Sequence, residues 1–137
     1  MIYLSLLKNL SLALQTGRNM YRIGTDIVEV ERIKKSVSND HFKNRVFSPD
    51  EISLIEKKKN KFESYAGNWA AKEAFSKALG TGVRSFSLVE VEVLRNNLGK
   101  PYLRLSGNAQ SAADGLSFDV SISHTDKLAT ATVIAFK

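Results

Sequence analysis

The sequence predicts an α+β fold in which an antiparallel β-sheet packs on one long helix. A segment filled with Ala, Leu, Lys and Glu runs from Trp69 to Gly82, and this composition favours a helix that ends at Gly80. Phe62 is expected to open this helix. Segments with the two-residue alternation of β-strands stand before this helix and, in a run, after it. A run of strands that follows a group of helices favours an antiparallel sheet beside them.

The elements before the long helix are one strand and short helices. Residues 21–28 alternate and are rich in β-branched side chains, which predicts a strand. The residues expected together on one of its faces are Gly24, Asp26 and Val28. Residues 29–36 predict a short helix. Ser48, followed by Pro49 and by Glu51 three residues on, predicts the start of another helix with a capping box.

The elements after the long helix are strands and turns. Residues 86–94 predict a half-buried strand, because they contain an alternation of valine and glutamate at positions 89–93. Turn-forming residues at 96–101 predict a hairpin with a strand at 102–106. Two further strands, at 118–124 and 128–136, complete the predicted sheet.

Composition and charge limit the class of protein. The chain has 137 residues, enough for one domain with a modest core, and its 43% hydrophobic and 25% charged residues are ordinary for a globular protein. The absence of cysteine excludes disulfides and thiolate metal sites. The net charge of +6 favours an acidic partner: nucleic acid, a phosphorylated small molecule, an anionic membrane or an acidic protein.

Residues 1–19 stand apart from the expected domain of residues 20–137. They are rich in leucine, but they are interrupted by Lys8 and too short to span a membrane. They also lack the basic start and the cleavage site of a signal peptide. We expect an extension outside the core; the alternative is an amphipathic helix that docks on the fold or on a partner.

The long helix has two chemically different sides. The side suited to close packing consists of Ala71, Ala74, Phe75, Ala78 and Leu79. The side that carries polar groups consists of Trp69, Glu73, Ser76, Lys77 and Gly80. The simplest interpretation of Glu73 and Lys77 is an exposed salt bridge between successive turns.

Polar residues far apart in the sequence suggest a phosphate site. Asp26 and Glu73 offer hard oxygen ligands, and Mg²⁺ often takes only one or two carboxylates besides phosphates and waters. Lys77, one turn after Glu73, could reach a phosphate on that metal, and His124 could donate to a phosphate or pack on a base. Each has a structural alternative: Asp26 as a turn or cap residue, and His124 as a structural residue at a strand end.

Four blocks of sequence are more specific than this chemistry. In chain order they are IGTDIVEVERI (23–33), WAAKEAFSKALGTG (69–82), GKP (99–101) and SISHT (121–125). Together they closely resemble the holo-[acyl-carrier-protein] synthases, the small bacterial 4′-phosphopantetheinyl transferases. The resemblance covers residues 20–137 and implies the fold of that family.

The resemblance implies transfer of 4′-phosphopantetheine from coenzyme A to a serine of acyl carrier protein, with release of adenosine 3′,5′-bisphosphate. Asp26 and Glu73 match the family's acid pair for Mg²⁺, and Lys77 matches a lysine near the phosphates. Glu73 and Lys77 are therefore the expected catalytic residues. The base that takes the serine proton is either Glu73 or a metal-bound water, and the sequence does not choose between them.

The resemblance also implies where substrates and subunits meet. The residues expected to bind coenzyme A are Lys77, Gly80, Gly99, Pro101 and His124. Arg32 matches the arginine that meets the acidic carrier protein, a partner that suits the net charge. Family members of this size are usually trimers that hold coenzyme A between neighbouring subunits. A cytoplasmic homotrimer of fatty acid biosynthesis is therefore expected.

One position departs from the family pattern. Family members often carry Ala-Gly-Arg before the aromatic residue of the helix motif, whereas this chain has Ala-Gly-Asn, ending at Asn68. The change removes an expected contact to the 3′-phosphate of coenzyme A. Another base is expected to compensate, with Lys61, Lys72 and Arg84 as candidates.

Two functions without catalysis stand as alternatives: a basic nucleic-acid-binding module, and a module that binds acidic proteins through Arg32 and the lysine-rich run 57–61. The aromatic residues are not interleaved with basic residues as base stacking requires. Neither alternative needs Asp26 or Glu73. We therefore expect a carrier protein and coenzyme A as partners, and neither a nucleic acid nor a membrane.

Overall fold

The computed structural model describes residues 21–82 and 85–137. The extension expected at residues 1–19 and the candidate base Arg84 lie outside the described residues. The described strands are β1 Arg22–Glu29, β2 Val91–Arg95, β3 Pro101–Leu105, β4 Ser117–His124 and β5 Leu128–Phe136. The described helices are α1 Val30–Val37, α2 Asp40–Val46, α3 Pro49–Glu56, α4 Lys61–Leu79 and α5 Gly107–Ala113. Of these helices, none is long and apolar enough to cross a membrane.

An antiparallel sheet of β1, β5 and β4, in that order, carries the long helix α4 on one face. The register places Asp26 opposite Ala131, and Ala131 opposite Ile122 on the other neighbouring strand. Strands β2 and β3 form a separate antiparallel hairpin. The predicted α+β class, with an antiparallel sheet on a long helix, is confirmed.

Helix α4 packs on the sheet through its alanine-rich side, as the sequence pattern predicts. Ala71, Ala74 and Ala78 are buried, and small side chains let the helix backbone come close to β1. Gly24 completes this approach, because a Cβ atom there would overlap the carbonyl oxygen of Ala74 and lie 2.6 Å from the backbone nitrogen of Ala78. The helix ends at Gly80, whose φ of 78° is the left-handed conformation that glycine adopts readily.

Aromatic rings fill the space between α4 and its neighbours. Phe75 lies at the centre, with ring centroids 5.5 Å from Phe86 and 4.9 Å from Phe118. Helix α1 covers another part of the core with its buried residues Val30, Ile33 and Val37. The core is thus organised around α4, and the side chains of α4 that point away from the core are free to form a functional site.

The strand predicted over residues 86–94 is wrong in its first half. Leu88–Glu90 form a 3-10 turn, and β2 begins only at Val91. The reason is the Glu90 carboxylate, which accepts hydrogen bonds from the backbone N–H groups of Ser87, Asn108 and Ala109. Two of these donors belong to the first turn of α5, so Glu90 caps a helix that lies far along the chain.

The face of the sheet opposite α4 is exposed and carries isoleucines among threonines and serines. On β1, Ile23 and Ile27 are 65% and 63% exposed, and Ile134 on β5 is 40% exposed. The alternation of β1 turns Gly24 and Val28 towards α4, as predicted, and turns these isoleucines outwards. Exposed isoleucines on one sheet face, even among threonines and serines, are typical of a surface that another chain covers.

We expect Gly24→Ala to lower the free energy of unfolding by about 3 kcal/mol or more, because the added methyl group would meet backbone atoms of α4 that cannot turn aside. The matched control is Ser111→Ala, on the exposed side of α5, which should change stability by less than about 0.5 kcal/mol. Urea unfolding followed by circular dichroism measures both. Equal stability of the two variants would contradict the close packing of α4 on β1.

Candidate functional site

Two charged residues from distant parts of the chain meet where α4 crosses β1. The Lys77 ammonium lies 3.1 Å from Oδ1 of Asp26 and donates a 2.8 Å hydrogen bond to the carbonyl oxygen of Thr25. The Asp26 side chain is largely enclosed, whereas the Lys77 side chain is 55% exposed. Asp26 reaches this place because it shares the inner face of β1 with Gly24, where the helix backbone comes closest.

Glu73 joins this pair from the preceding turn of α4. Partial burial raises the pKa of Glu73, and the nearby charge of Asp26 raises it further. The positive charges of Lys77 and Arg32 act in the opposite direction on the same pKa. We call Asp26, Glu73, Lys77 and Arg32 the carboxylate cluster, since two cations surround two acids there.

The salt bridge between Glu73 and Lys77, the simplest interpretation of their spacing, is not formed. Among the ion pairs of residues 21–82 and 85–137, Lys77 is paired with Asp26 instead. The helix turns the Lys77 side chain towards β1, where a carboxylate and a carbonyl oxygen both accept from it. The contact that was expected within one helix is therefore a contact between a helix and a strand.

The carboxylate cluster fits a magnesium ion by the chemistry of its donors. Burial, and then the charge of Asp26, raise the pKa of Glu73, and a divalent cation between the two carboxylates would relieve their repulsion. Mg²⁺ commonly uses one or two carboxylates, with phosphates and waters completing its shell. Within the described part of the chain, no group of three or more His, Cys, Asp and Glu residues comes together.

A second place of interest is a cleft of about 190 Å³ beside the start of α4. Gly99, Pro101 and His124 line it, although the sequence pointed to them through two separate motifs. Its remaining lining residues, which complete what we call the basic cleft, are Lys58, Asn60, Glu63, Ser64, Gly67, Arg95 and Ile122. The structure thus brings together three of the residues expected to bind coenzyme A.

The other predicted site residues lie outside the basic cleft. Gly80 caps the C-terminal end of α4, one turn beyond Lys77, and its N–H donates to the Lys77 carbonyl oxygen. Arg32 is exposed on α1 near Glu73. Lys77 belongs to the carboxylate cluster. The predicted residues are therefore divided between the carboxylate cluster, the basic cleft and the end of α4.

A buried ion pair beneath the site was missed from the sequence. Glu51 and Lys72 are both 0% exposed, and the Lys72 ammonium lies 2.7 Å from Oε1 of Glu51. Lys72 also donates to the carbonyl oxygens of Leu88 and Val91, at 2.9 and 2.6 Å. Burial lowers the pKa of Lys72, while the charge of Glu51 opposes that change. Every donor of the ammonium is thus directed at a buried oxygen.

Glu51 does more than the capping role predicted for it. The capping box with Ser48 is present, so that prediction is confirmed. The same carboxylate also accepts hydrogen bonds from the side-chain amide of Asn68 and from the backbone N–H of Val93. It therefore joins α3, α4 and the hairpin strand β2.

Two of the bases considered as replacements for the missing arginine are engaged elsewhere. Lys72 cannot reach a phosphate, because it is fully enclosed by Glu51 and backbone carbonyl groups. Lys61 forms an ion pair with Glu56 at 3.2 Å. The sequence did contain a signal for the burial of Lys72. Asn68, Lys72, Phe75 and Leu79 recur at helical spacing and form one stripe of α4, all of which is buried.

Comparison with known proteins identifies the family and the fold of this chain. The family whose profile matches residues 22–133 is described as the 4′-phosphopantetheinyl transferase superfamily. A holo-[acyl-carrier-protein] synthase of Fusobacterium nucleatum subsp. nucleatum is 46% identical over 116 residues, which cover 82% of this chain and 95% of that protein.

Solved structures agree with this class. A crystal structure of a holo-(acyl-carrier-protein) synthase from Bacillus anthracis str. Ames in complex with CoA (3′,5′-ADP) matches with a TM-score of 0.72 and 35% identity, over 85% of this chain and 96% of that one. The Helicobacter pylori holo-[acyl-carrier-protein] synthase in complex with coenzyme A gives the same TM-score and identity, over 82% of this chain and 98% of that one. This chain belongs to the holo-[acyl-carrier-protein] synthase family of enzymes.

We expect Lys72→Met to lower the free energy of unfolding by about 3–5 kcal/mol, because it leaves the Glu51 carboxylate buried without its cation. Lys77→Met, five residues along the same helix, removes a lysine that is 55% exposed and should cost about 1 kcal/mol or less. Guanidinium unfolding compares the two.

Adding Glu51→Gln to Lys72→Met should recover part of the loss, since no unpaired charge then remains buried. A Lys72→Met protein as stable as the Lys77→Met protein would contradict the buried ion pair.

Proposed function

We propose that this enzyme transfers 4′-phosphopantetheine from coenzyme A to a serine hydroxyl of acyl carrier protein. The observation that carries the proposal is the carboxylate cluster, in which Asp26, Glu73 and Lys77 converge in a chain of the holo-[acyl-carrier-protein] synthase family. Paired carboxylates that can hold Mg²⁺, beside a half-exposed ammonium, suit a substrate with a diphosphate group. The non-catalytic alternatives have no need of this arrangement.

In the proposed reaction, the serine oxygen attacks the phosphorus next to pantetheine. The bond from that phosphorus to the bridging oxygen breaks, and adenosine 3′,5′-bisphosphate leaves with the electron pair of that bond. The serine proton passes to a base, and Glu73 is our choice because partial burial and the charge of Asp26 raise the pKa of its carboxyl group, which makes it a better proton acceptor.

Asp26 and Glu73 are the residues that would hold Mg²⁺. When bound there, the ion would offset the negative charge that builds up on the leaving phosphate. Lys77 adds a positive charge on a half-exposed side chain, and it can turn from Asp26 to a phosphate oxygen. Because Gly80 has no side chain, the end of α4 leaves space for a substrate one turn beyond Lys77.

We place the nucleotide end of coenzyme A in the basic cleft. Gly99 and Pro101 form one wall with the hairpin turn, and His124 contributes an exposed ring at the end of β4. The relatives from B. anthracis and H. pylori were crystallised with CoA (3′,5′-ADP) and coenzyme A, which supports this class of ligand. Arg32, exposed beside Glu73, would then contact the acidic carrier protein near the reacting serine.

We further propose that the enzyme is a cytoplasmic homotrimer that serves fatty acid biosynthesis. The exposed isoleucines Ile23, Ile27 and Ile134 on one face of the sheet support a self-associating surface. A trimer would bury this face and bring neighbouring subunits next to one another around the site. Alternate residues of strand β5 are buried against the core, and the residues between them lie on this exposed face.

Glu73→Gln should reduce transfer by about 10²–10⁴-fold while the fold is retained, because the base and one metal ligand are lost together. The control is Asp40→Asn on α2, which should keep the wild-type rate. The assay is the intact mass of acyl carrier protein, which gains one phosphopantetheine group, with Mg²⁺ and with chelator. Near-full rate in Glu73→Gln would remove Glu73 from the active site.

Aspartate at both Ile23 and Ile27 should convert the trimer to monomers, since it would bury charges at the subunit contact. Leu98→Asp is the matched control, because Leu98 is 94% exposed in the hairpin turn and away from the sheet face. Analytical ultracentrifugation gives the mass of each species. A wild-type monomer, or a double variant that stays trimeric, would contradict this interface.

A further inference from the structure

Arg95 at the end of β2 is the starting point, since its guanidinium group is half-buried without a counter-ion. It donates hydrogen bonds to neutral oxygens only, at 3.2 Å to Oδ1 of Asn68 and at 3.3 Å to the carbonyl oxygen of Leu94. In the described part of the chain, no carboxylate forms a salt bridge with it. Burial accordingly lowers the pKa of Arg95, and the more distant charge of Glu51 offsets this only in part. A guanidinium in such a position favours an anionic ligand.

The surroundings of Arg95 strengthen this interpretation. Lys58 lines the same cleft, and its pKa is lowered first by partial burial and then by the charge of Arg95. Two cations that repel each other across a cleft would both be stabilised by an anion between them. Glu63 also lines the cleft, but in the described residues it forms no ion pair with either cation.

Asn68 holds Arg95 in this orientation. Its side-chain NH₂ group donates to the Glu51 carboxylate and to the carbonyl oxygen of Val93, both at 3.1 Å. These two bonds determine which way the amide faces, so its oxygen is left to accept from Arg95. The buried network beneath the cleft thus positions the guanidinium.

We propose that Arg95, together with Lys58, binds the 3′-phosphate monoester of coenzyme A. This inference rests on the proposed function, because it assumes that the nucleotide end lies in the basic cleft with Gly99, Pro101 and His124. A planar guanidinium and an ammonium together suit a phosphate dianion, which offers several oxygens at one point. Asn68 acts as a positioning residue in place of the arginine expected there, and the cation comes from β2.

The kinetic test compares coenzyme A with 3′-dephospho-coenzyme A as substrates. Wild-type enzyme should prefer coenzyme A. Arg95→Gln should raise the KM for coenzyme A about tenfold or more, as expected for the loss of a charged hydrogen bond, and leave the KM for the dephospho substrate within about twofold. The KM of Arg95→Lys for coenzyme A should lie between those of the wild-type enzyme and Arg95→Gln, because lysine keeps the charge without the planar guanidinium group.

The matched control is Arg104→Gln. Arg104 lies on the neighbouring strand β3 and pairs with Glu92 and Asp50 on the surface, away from the basic cleft. This variant should keep the wild-type ratio of the two KM values. Thermal unfolding of each variant shows whether the folded state is retained.

A binding measurement tests the same inference without catalysis. In calorimetry, wild-type protein should bind adenosine 3′,5′-bisphosphate more tightly than adenosine 5′-monophosphate, and Arg95→Gln should abolish this preference. An unchanged preference in Arg95→Gln, or an equal loss for both ligands, would overturn the role of Arg95. Failure of the proposed function would look different, since wild-type enzyme would then transfer from neither coenzyme A nor its dephospho form.

Discussion

The buried ion pair between Glu51 and Lys72 is the interaction on which the rest of this structure depends. Enclosing either charge alone would cost several kcal/mol, so the pair is stable only because its hydrogen bonds are complete. Glu51 accepts four of them and Lys72 donates three, from elements that are distant in sequence. Such directed bonds allow only one rotation of α4 about its axis, which determines where Asn68 and Glu73 face.

Successive residues of α4 consequently have opposite environments. Lys72 points into the protein and is fully enclosed, whereas Glu73 points to the carboxylate cluster beside Asp26. Gly24 allows this arrangement, because the helix backbone could not approach β1 over a larger side chain. One rigid helix thus supports both the carboxylate cluster near its C-terminal end and the basic cleft near its start. Under the proposed function, this helix positions both the diphosphate and the nucleotide end of coenzyme A.

Asn68 shows how a changed residue is accommodated within a family. The resemblance drew attention to a missing arginine and to nearby bases in sequence, yet Lys72 is buried and Lys61 pairs with Glu56. The cation that contacts Asn68 through a hydrogen bond and also lines the basic cleft is Arg95, which lies on another element. Sequence distance is a poor guide here, since a β-strand brings residues from far along the chain to the side of a helix.

The sequence by itself determined the local elements, the family and the pair of acids, because periodicity, caps and ordered motifs are properties of neighbouring residues. It predicted α4 with its cap at Gly80, and it selected Asp26, Glu73 and Lys77 before their contacts were known. Only the tertiary structure decided that Lys77 pairs with Asp26, that Glu90 interrupts a predicted strand, and that Lys72 is buried. These outcomes depend on partners more than ten residues away, and which partner wins is decided by how helix, strand and hairpin pack together.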